Sequence, residues 1–379
     1  MIGNIRITFC LFVFFCWVIY PTFSIMASPY LGRLEIPLLI IISPLVVVSV
    51  CLLNSSLIKI ETRYYYYYYF SIFLYLLFYG VSVTLNDVDI DYKSYMMGNF
   101  ARMLAFFISG VGLYELINSN KKHLKYVFFV TWICIALFVL LNFNYSGLYF
   151  PYYEIFFIKA GVGTDQYPIY RHHLTDTFII ISFCILYFHI KSSLIVKSLL
   201  IISSMILALM LGGRASIFVF GVLILYSFHK VIPNGYLKVL SYFIILLCAA
   251  LSITIDFNFN MSSFFSREEL FYHGLNDISN NILTGKMAGQ MILGYEGLYV
   301  HNFISIYRQL GLPCFILYLF LLLSPFYFYF NNKISNEIII IFSYFVILMI
   351  IAKPMFWGWE WIGFGLIVSS LKFDCNKIN

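Results

Sequence analysis

The sequence predicts an all-α integral membrane protein with about twelve transmembrane helices, and three observations support this class. Hydrophobic residues make up 62% of the 379 residues, and charged residues make up only 11%. The mean hydropathy is +0.90. Apolar windows of about 20 residues, the length that crosses a bilayer core, recur along the chain. A soluble domain carries about 25% charged residues, so this composition excludes cytosolic enzymes, secreted disulfide scaffolds and nucleic-acid-binding proteins.

Twelve apolar segments are candidate spans. The first follows Arg6 and ends near Ala27. It is too long for the apolar region of a signal peptide, and Ile25 breaks the small-residue cleavage pattern, so we interpret it as a span. In chain order the predicted spans are 5–27, 36–58, 65–85, 96–117, 126–142, 175–190, 198–212, 215–230, 237–255, 310–330, 337–352 and 355–371.

The distribution of Lys and Arg predicts the orientation. If the N-terminus lies in the cytoplasm and the spans alternate, thirteen Lys and Arg residues fall in inside segments and four in short outside loops. Most Asp and Glu residues fall outside. This positive-inside bias predicts twelve spans with both termini in the cytoplasm, and it accounts for the net charge of +6 without a nucleic-acid partner.

Two long loops are predicted on the outside, at 143–174 and 256–309. Connections longer than about 12–15 residues usually carry a function when they are not disordered. The first loop is rich in Tyr and Phe, and the second contains Ser266-Arg-Glu-Glu269, a capping box that predicts the start of a helix. The apolar residues that follow at helical spacing are Leu270, Phe271, Leu275 and Ile278. We therefore expect an amphipathic helix at the outer membrane surface, within a single transmembrane domain, 1–379.

The eight cysteines predict neither a metal site nor a redox site. No Cys-x-x-Cys spacing occurs, and all but Cys375 lie in or at the ends of apolar runs. They are best interpreted as small apolar side chains.

Polar side chains that can carry chemistry gather at the predicted outer face. Arg102 lies within the fourth span, where a charge is expensive and usually functional. Arg214 follows Gly212-Gly213, and two glycines let the backbone come close to a ligand. The other candidates lie in the long loops or at their ends: Arg171, His172, His173, Arg267, Lys286, His301, Asn302 and Arg308.

Each candidate also has a structural alternative. Arg102 can snorkel to the interface or join a structural ion pair, and Arg214 can be an interface anchor. Arg171 can pair with Asp176 in a solvated loop end, and Arg267 can lie on the surface of its helix. His273 in the second loop is interpreted as a surface residue.

The candidate residue types suit one kind of substrate. Guanidinium groups bind phosphate through two parallel hydrogen bonds and stay charged. A histidine titrates near neutral pH and can accept a proton from a hydroxyl group. Together with aromatic loops that offer flat faces to sugar rings, they suggest a phosphate-linked saccharide at the outer side of the membrane.

A resemblance to a known family rests on several short motifs. The segment Leu209-Met-Leu-Gly-Gly-Arg214-Ala-Ser-Ile-Phe-Val-Phe resembles the span–arginine–span element of O-antigen polymerases and ligases. The later motifs look like the outer loop of the same superfamily, in which an arginine, a glycine segment and a His-Asn pair precede a Leu-Gly-x-Pro turn. Here they are Ser266-Arg267, Asn281-Ile-Leu-Thr-Gly285-Lys286, Gly297-Leu-Tyr-Val-His301-Asn302 and Leu310-Gly311-Leu312-Pro313.

The resemblance implies a GT-C-like inverting glycosyltransferase with two large periplasmic loops in the bacterial inner membrane. Its substrates would be undecaprenyl-diphosphate-linked oligosaccharides, with a chain-length regulator and a flippase as candidate partners and no cofactor or metal. His301 would act as base, and Arg214 and Arg267 would stabilise the leaving diphosphate. The residues implied to bind substrate are Arg102, Arg171, His172, His173, Lys286, Asn302 and Arg308.

Three functions remain open at this point. The polymerase is favoured, the O-antigen ligase shares the same constellation, and a lipid-linked oligosaccharide flippase or other transporter is the alternative from another class. Some polymerases carry the motif Arg-x10-Gly, and this motif is absent here. At the glycine position after Arg171, Arg214 and Arg267 the chain has Ser182, Leu225 and Ile278.

Overall fold

The computed structural model describes residues 12–23, 26, 63–86, 90–118, 122–143, 157–159, 166–168, 171–188, 194–231, 261–287, 302–353 and 355–373. Helices dominate these residues. They are α1 (Phe12–Phe23, with a π-helical turn at Phe15–Ile19), α2 (Arg63–Leu85), α3 (Ile90–Asn118), α4 (Lys122–Asn142), α5 (Arg171–Phe188), α6 (Leu194–Leu211), α7 (Arg214–Val231), α8 (Met261–Asn280), α9 (Ile304–Phe330), α10 (Asn336–Ile351) and α11 (Glu360–Phe373). Two short antiparallel strands, β1 (Phe157–Lys159) and β2 (Gln166–Pro168), pair with Ile158 opposite Tyr167.

The helical membrane class is confirmed in its coarse form. Ten of the twelve predicted spans overlap described helices, whereas 36–58 and 237–255 lie outside the described residues. Three stretches are long and apolar enough to cross a membrane: Tyr64–Thr84, Met96–Tyr114 and Ile304–Phe330. The other apolar helices in the described part are shorter, so the number twelve and the orientation stay predictions.

Helix α2 shows why these helices need a lipid environment. Its buried residues recur at helical spacing, with Tyr68, Tyr75 and Tyr79 completely buried. Its opposite face exposes Tyr67 and Phe70, at 61% and 57%. A helix that is apolar on all sides is buried in protein or faces lipid, and the exposed aromatic rings fit the second case.

The chain divides into two compact units. The first unit contains Met1–Val13, Ile42–Tyr114 and Phe259–Asn379, and the second contains Phe14–Ile41 and Glu115–Asn258. In the first unit α9 packs against α2, α8 and α10, and α11 packs against α2 and α10. In the second unit α4, α5 and α6 pack against one another and α7 packs against α5 and α6. There the Trp132 indole N–H donates to the Ser182 and Ser204 hydroxyls, at 3.1 and 3.3 Å.

Two glycines let α3 and α11 approach closely in the first unit. A Cβ atom on Gly365 would clash with the carbonyl oxygen of Phe107 and would lie 2.9 Å from the backbone nitrogen of Val111. A Cβ atom on Gly110 would clash with the carbonyl oxygen of Ile362. Small residues of this kind allow backbone contact between helices in membranes.

Replacing Gly365 with leucine is therefore expected to destabilise the protein. The Cβ atom itself would overlap backbone atoms of α3, and no side-chain rotation can avoid that overlap. We expect the free energy of unfolding to fall by at least the cost of overpacking, about 1–3 kcal/mol. The thermal melting temperature of the purified protein in detergent would measure it. Gly80→Leu is the matched control, because nothing lies within 4 Å of a Cβ atom at Gly80. Equal melting temperatures for the two variants would contradict the packing argument.

Three element boundaries differ from the approximate predicted ones. Helix α8 begins at Met261, so the Ser266 capping box lies inside the helix and does not start it. Helix α5 begins at Arg171, before the approximate end predicted for the first loop at 174, and that predicted loop also contains the β1–β2 hairpin. Helix α11 begins at Glu360 and not at 355, because Gly358 adopts a φ of +73°, which interrupts a helix.

Candidate functional site

A break in α9 organises one part of the first unit. Gly311 has φ 80° and ψ −178°, far from helical values. Two residues later, Pro313 has no N–H to donate to Gln309. The amide of Leu312 donates to the Ile282 carbonyl oxygen at 3.0 Å instead of closing a helical bond with Arg308. The α9 helix is therefore opened at one turn, and its backbone groups pair with another segment.

The segment that fills this break is Asn281–Lys286, which follows α8. The amide of Lys286 donates to the carbonyl oxygen of Arg308 at 2.6 Å, which supplies the second bond between the two segments. A Cβ atom on Gly285 (φ +69°) would lie 2.5 Å from the Gly311 nitrogen, and one on Gly311 would clash with the Leu283 carbonyl. The two glycines thus permit direct backbone contact between two motifs that are far apart in the sequence.

Three charged residues form an ion cluster beside the break. Lys286 Nζ lies 2.9 Å from Asp277 Oδ1, and Arg308 contacts Asp277 Oδ2 through Nε at 2.8 Å and through Nη2 at 2.6 Å. The Arg308 side chain is 2% exposed, that of Asp277 11% and that of Lys286 40%. The buried arginine is therefore neutralised by the aspartate, and Lys286 is the member that reaches solvent, which leaves the cluster with a net charge of +1.

The cluster shifts the acidity of Asp277, which lies in α8 outside the three candidate spans. Burial alone raises the pKa of its carboxyl group. The hydrogen bonds and positive charges of Lys286 and Arg308 outweigh burial, so the pKa lies below its ordinary value of 3.8. Asp277 is therefore a carboxylate at neutral pH, as an ion bridge between α8, the 281–287 loop and α9 requires.

This shift predicts a pH dependence of stability. A carboxyl group whose pKa is lower in the folded state than in the unfolded state stabilises the fold. This stabilisation is fully present above the pKa of the unfolded state and is lost as the pH falls through the pKa of the folded state. As the pH falls below the ordinary value of 3.8 and through the folded-state pKa, the melting temperature of the wild-type protein should fall more steeply than that of Asp277→Asn. Glu337→Gln, which removes a carboxyl in the first turn of α10, is the control. Parallel profiles for wild type and Asp277→Asn would contradict the shift.

The start of α9 carries the next candidate. Asn302 Oδ1 accepts a hydrogen bond from the Ile304 amide at 3.0 Å, and the Phe303 amide donates to the Met349 carbonyl at 2.9 Å. Asn302 therefore satisfies one amide at the start of the helix that carries Arg308, and its expected role in orienting a sugar or the loop stays a prediction. His301, the expected base, lies outside the described residues. Arg308 was expected before the span, but α9 begins at Ile304 and holds Arg308 buried in its second turn.

The connection between α10 and α11 adds a cation that the candidate set did not contain. Lys353 is only 6% exposed, and its Nζ lies 5.1 Å from the centre of the Trp357 ring.

A Cβ atom on Gly358 would lie 3.8 Å from Arg102 Cδ, so the α3 arginine packs against this connection. The Arg102 side chain is otherwise exposed.

In the second unit the structure brings two predicted cation segments together. A Cβ atom on Gly213 would lie 2.6 Å from the Thr175 side chain, and the Ser216 hydroxyl donates to the buried carboxylate of Asp176 at 2.6 Å. The second turn of α5 and the first turn of α7 are therefore neighbours. The candidates Arg171, His172 and His173 lie one turn earlier on α5, and Arg214 begins α7. The N-terminal ends of helices favour anions.

The remaining candidate, Arg267, stands apart from the ion cluster. It precedes Asp277 by ten residues on α8, which corresponds to about 15 Å along a helix. It belongs to the first unit, and Arg214 belongs to the second, so their joint action on one diphosphate stays a prediction. Among the described residues, no group of three His, Cys, Asp or Glu side chains is placed to hold a metal ion.

Sequence reasoning missed Asp277 as a site residue. The buried residues in the last turns of α8 are Gly274, Asp277 and Ile278, at i, i+3 and i+4, whereas the expected apolar residue Leu275 is 40% exposed. A charged residue on a buried stripe needs a partner. If the buried face of α8 had been assigned to residues 274, 277 and 278, Asp277 would have been recognised as a buried acid that needs a nearby cation.

Comparison with protein-family models, with characterised proteins and with solved structures gives no match to this chain.

Proposed function

We propose that this protein is an O-antigen polymerase, which joins undecaprenyl-diphosphate-linked repeat units at the periplasmic face of the inner membrane. One observation supports this most: the motifs that carry the resemblance meet in space. Asn281–Lys286 and Leu310–Pro313 are paired through their backbones, with Asn302 capping the same helix and Lys286 partly exposed beside them. Separate motifs of one site are expected to converge in this way.

The proposed reaction follows from these charges. A hydroxyl group of the acceptor repeat unit attacks the anomeric carbon of the donor, and the bond from that carbon to the diphosphate oxygen breaks. The acceptor proton passes to His301, and the diphosphate leaves with the bond electrons. Lys286, Arg214 and Arg267 stabilise the negative charge that develops on the leaving group. In-line attack of this kind inverts the anomeric centre.

The ion cluster gives each member a distinct part in this proposal. Arg308 is too buried to contact a lipid-linked sugar directly, and Asp277 compensates its charge. The pair therefore acts as a support that fixes the 281–287 loop, and Lys286 is the group available to phosphate. Donor binding is proposed at the outer leaflet, with both termini in the cytoplasm.

The experiment that tests the function is the lipopolysaccharide banding pattern after deletion of the gene, with a plasmid copy as the complementation control. Collapse of the ladder to core plus one repeat unit supports the polymerase, since export and ligation still work. Loss of every repeat unit would indicate the ligase or the flippase instead. An unchanged ladder would contradict the O-antigen proposal.

A further inference from the structure

Three consecutive polar residues of α5 are completely buried in the second unit. They are Thr175, Asp176 and Thr177, each 0% exposed. Successive residues of a helix point about 100° apart, so this turn of α5 is covered on several sides. A carboxyl group is costly to bury, and an acid within a membrane segment usually has a function. Asp176 does not lie in a solvated loop end, and its burial needs another explanation.

Two of these side chains contact the first turn of α7. A Cβ atom on Gly213 would lie 2.6 Å from the Thr175 Cγ2 atom, so the turn before α7 packs directly on Thr175. Ser216 is 1% exposed, and its hydroxyl group donates to Asp176 Oδ1 at 2.6 Å. The start of α7 is therefore attached to α5 at two points, which lie on either side of Arg214 in the sequence.

The third side chain connects α5 to α1. The Thr177 and Thr22 hydroxyl oxygens lie 3.1 Å apart in a hydrogen bond, and Thr22 is also completely buried. Further along α5, the Ser182 hydroxyl accepts from the Trp132 indole of α4 at 3.1 Å. Helix α5 is therefore held by two other helices of the second unit, and it can serve as a support for α7.

Arg214 lies where α7 would otherwise be least constrained. It is the first residue of the helix, and the amide of Ile217 donates to the Gly213 carbonyl oxygen at 3.0 Å. Helix ends fray, and glycine has the most permissive backbone. Two glycines precede Arg214, and Gly212 has a φ of +74°. The bond from Ser216 to a buried carboxyl group therefore limits where the backbone of Arg214 can lie.

We propose that Asp176 is a positioning residue for Arg214. Through Ser216 it fixes the first turn of α7, and thereby the place from which Arg214 acts on the leaving diphosphate. This role rests on the proposed function, because that function assigns Arg214 to the diphosphate. Asp176 itself is too buried to contact the substrate.

The rate of transfer between purified lipid-linked repeat units, with the full chain in lipid nanodiscs, tests this role. Ser216→Val removes the hydroxyl group, whereas Ser216→Thr has nearly the same size and keeps it. We expect Ser216→Val to lower kcat by about tenfold or more, since a misplacement of ~1 Å can cost on the order of 100-fold. KM should change little, because the lost interaction is made in the transition state. Asp176→Leu removes the acceptor and should lower kcat by a similar factor.

Two comparisons make this result specific. Ser216→Thr should keep most of the wild-type kcat. Ser227→Ala is the matched control on α7, because the Ser227 hydroxyl donates to the Leu223 carbonyl oxygen within the same helix at 2.8 Å. It should keep the wild-type rate. Equal kcat values for Ser216→Val and Ser216→Thr would overturn the positioning role.

Hydrogen–deuterium exchange of the peptide 212–218 tests the attachment without the reaction. Loss of the bond to Asp176 opens the first turn of α7 more often, so exchange should be faster in Ser216→Val than in the wild type, in Ser216→Thr and in Ser227→Ala. Equal exchange in all four proteins would overturn the attachment. If the wild type transfers no repeat units, the proposed function fails, and the exchange measurement alone decides whether Asp176 fixes this turn.

Discussion

Replacing Arg308 with alanine is expected to lower the free energy of unfolding by about 3 kcal/mol, the lower end of the cost of breaking a buried ion pair. The physical reason is the Asp277 carboxylate, whose side chain is 11% exposed, accepts a hydrogen bond from Arg308 Nε and forms an ion pair with Arg308 Nη2. Without the guanidinium, Lys286 is the one remaining partner among the described residues, so the cost stays below that of a fully isolated charge. Denaturant unfolding of the purified protein in detergent micelles, followed by circular dichroism, measures the change.

Two further variants make this prediction specific. Lys286→Ala removes the exposed partner of the same carboxylate and should cost no more than about 1 kcal/mol, as exposed pairs do. The double variant Arg308→Met with Asp277→Leu removes both buried charges and should recover much of the stability lost in the single one. The losses of unfolding free energy in Arg308→Met and in Asp277→Leu are then added and compared with the loss in the double variant. If the double variant loses as much as this sum, the interaction of Arg308 with Asp277 is not what stabilises this region.

The fold was predictable in class because membrane insertion depends on local composition. Each helix carries its own apolar stretch, so α2 and α10 could be placed within two residues of their structural bounds. The failures occur where local rules meet tertiary contacts. Ser266 looks like a cap, but α8 extends five residues further towards Met261. The apolar run at 355–371 hides a break at Gly358, because a positive φ depends on packing and does not change hydropathy.

Only part of the ion cluster could be predicted from the sequence, and the pairing of its members could not. Lys286, Arg308 and the Gly-containing motifs were selected by residue type and by resemblance. Their connection through Asp277 depends on how α8 packs against α9 and on the glycine contact between Gly285 and Gly311. A sequence pattern carries no register between two distant segments, so it could not show that Arg308 is compensated and that Lys286 is the available cation.

Replacing His301 with alanine is expected to abolish visible polymer while leaving the protein in the membrane. In the proposed reaction His301 takes the proton from the attacking hydroxyl, and loss of a positioned base typically costs 10²–10⁴-fold in rate, on the order of 3–5 kcal/mol of barrier. Arg214→Ala should also abolish the polymer, because it removes a charge that stabilises the leaving diphosphate. The lipopolysaccharide ladder of a deletion strain complemented with each variant, together with immunoblots of its membranes, measures both effects.

The control for His301 is another histidine of the same predicted loop. His273 is exposed on α8, and His273→Ala should restore a full ladder at equal protein level. A loss caused by misfolding would lower the membrane-bound protein, whereas a loss of the base would leave it unchanged, so the immunoblot separates the two. Full-length chains with His301→Ala would show that another group accepts the proton. That outcome would remove His301 from the proposed mechanism. The diphosphate site would then be tested by Arg214→Ala alone, because the charges of Arg214 and Lys286 act on the leaving group and not on the nucleophile.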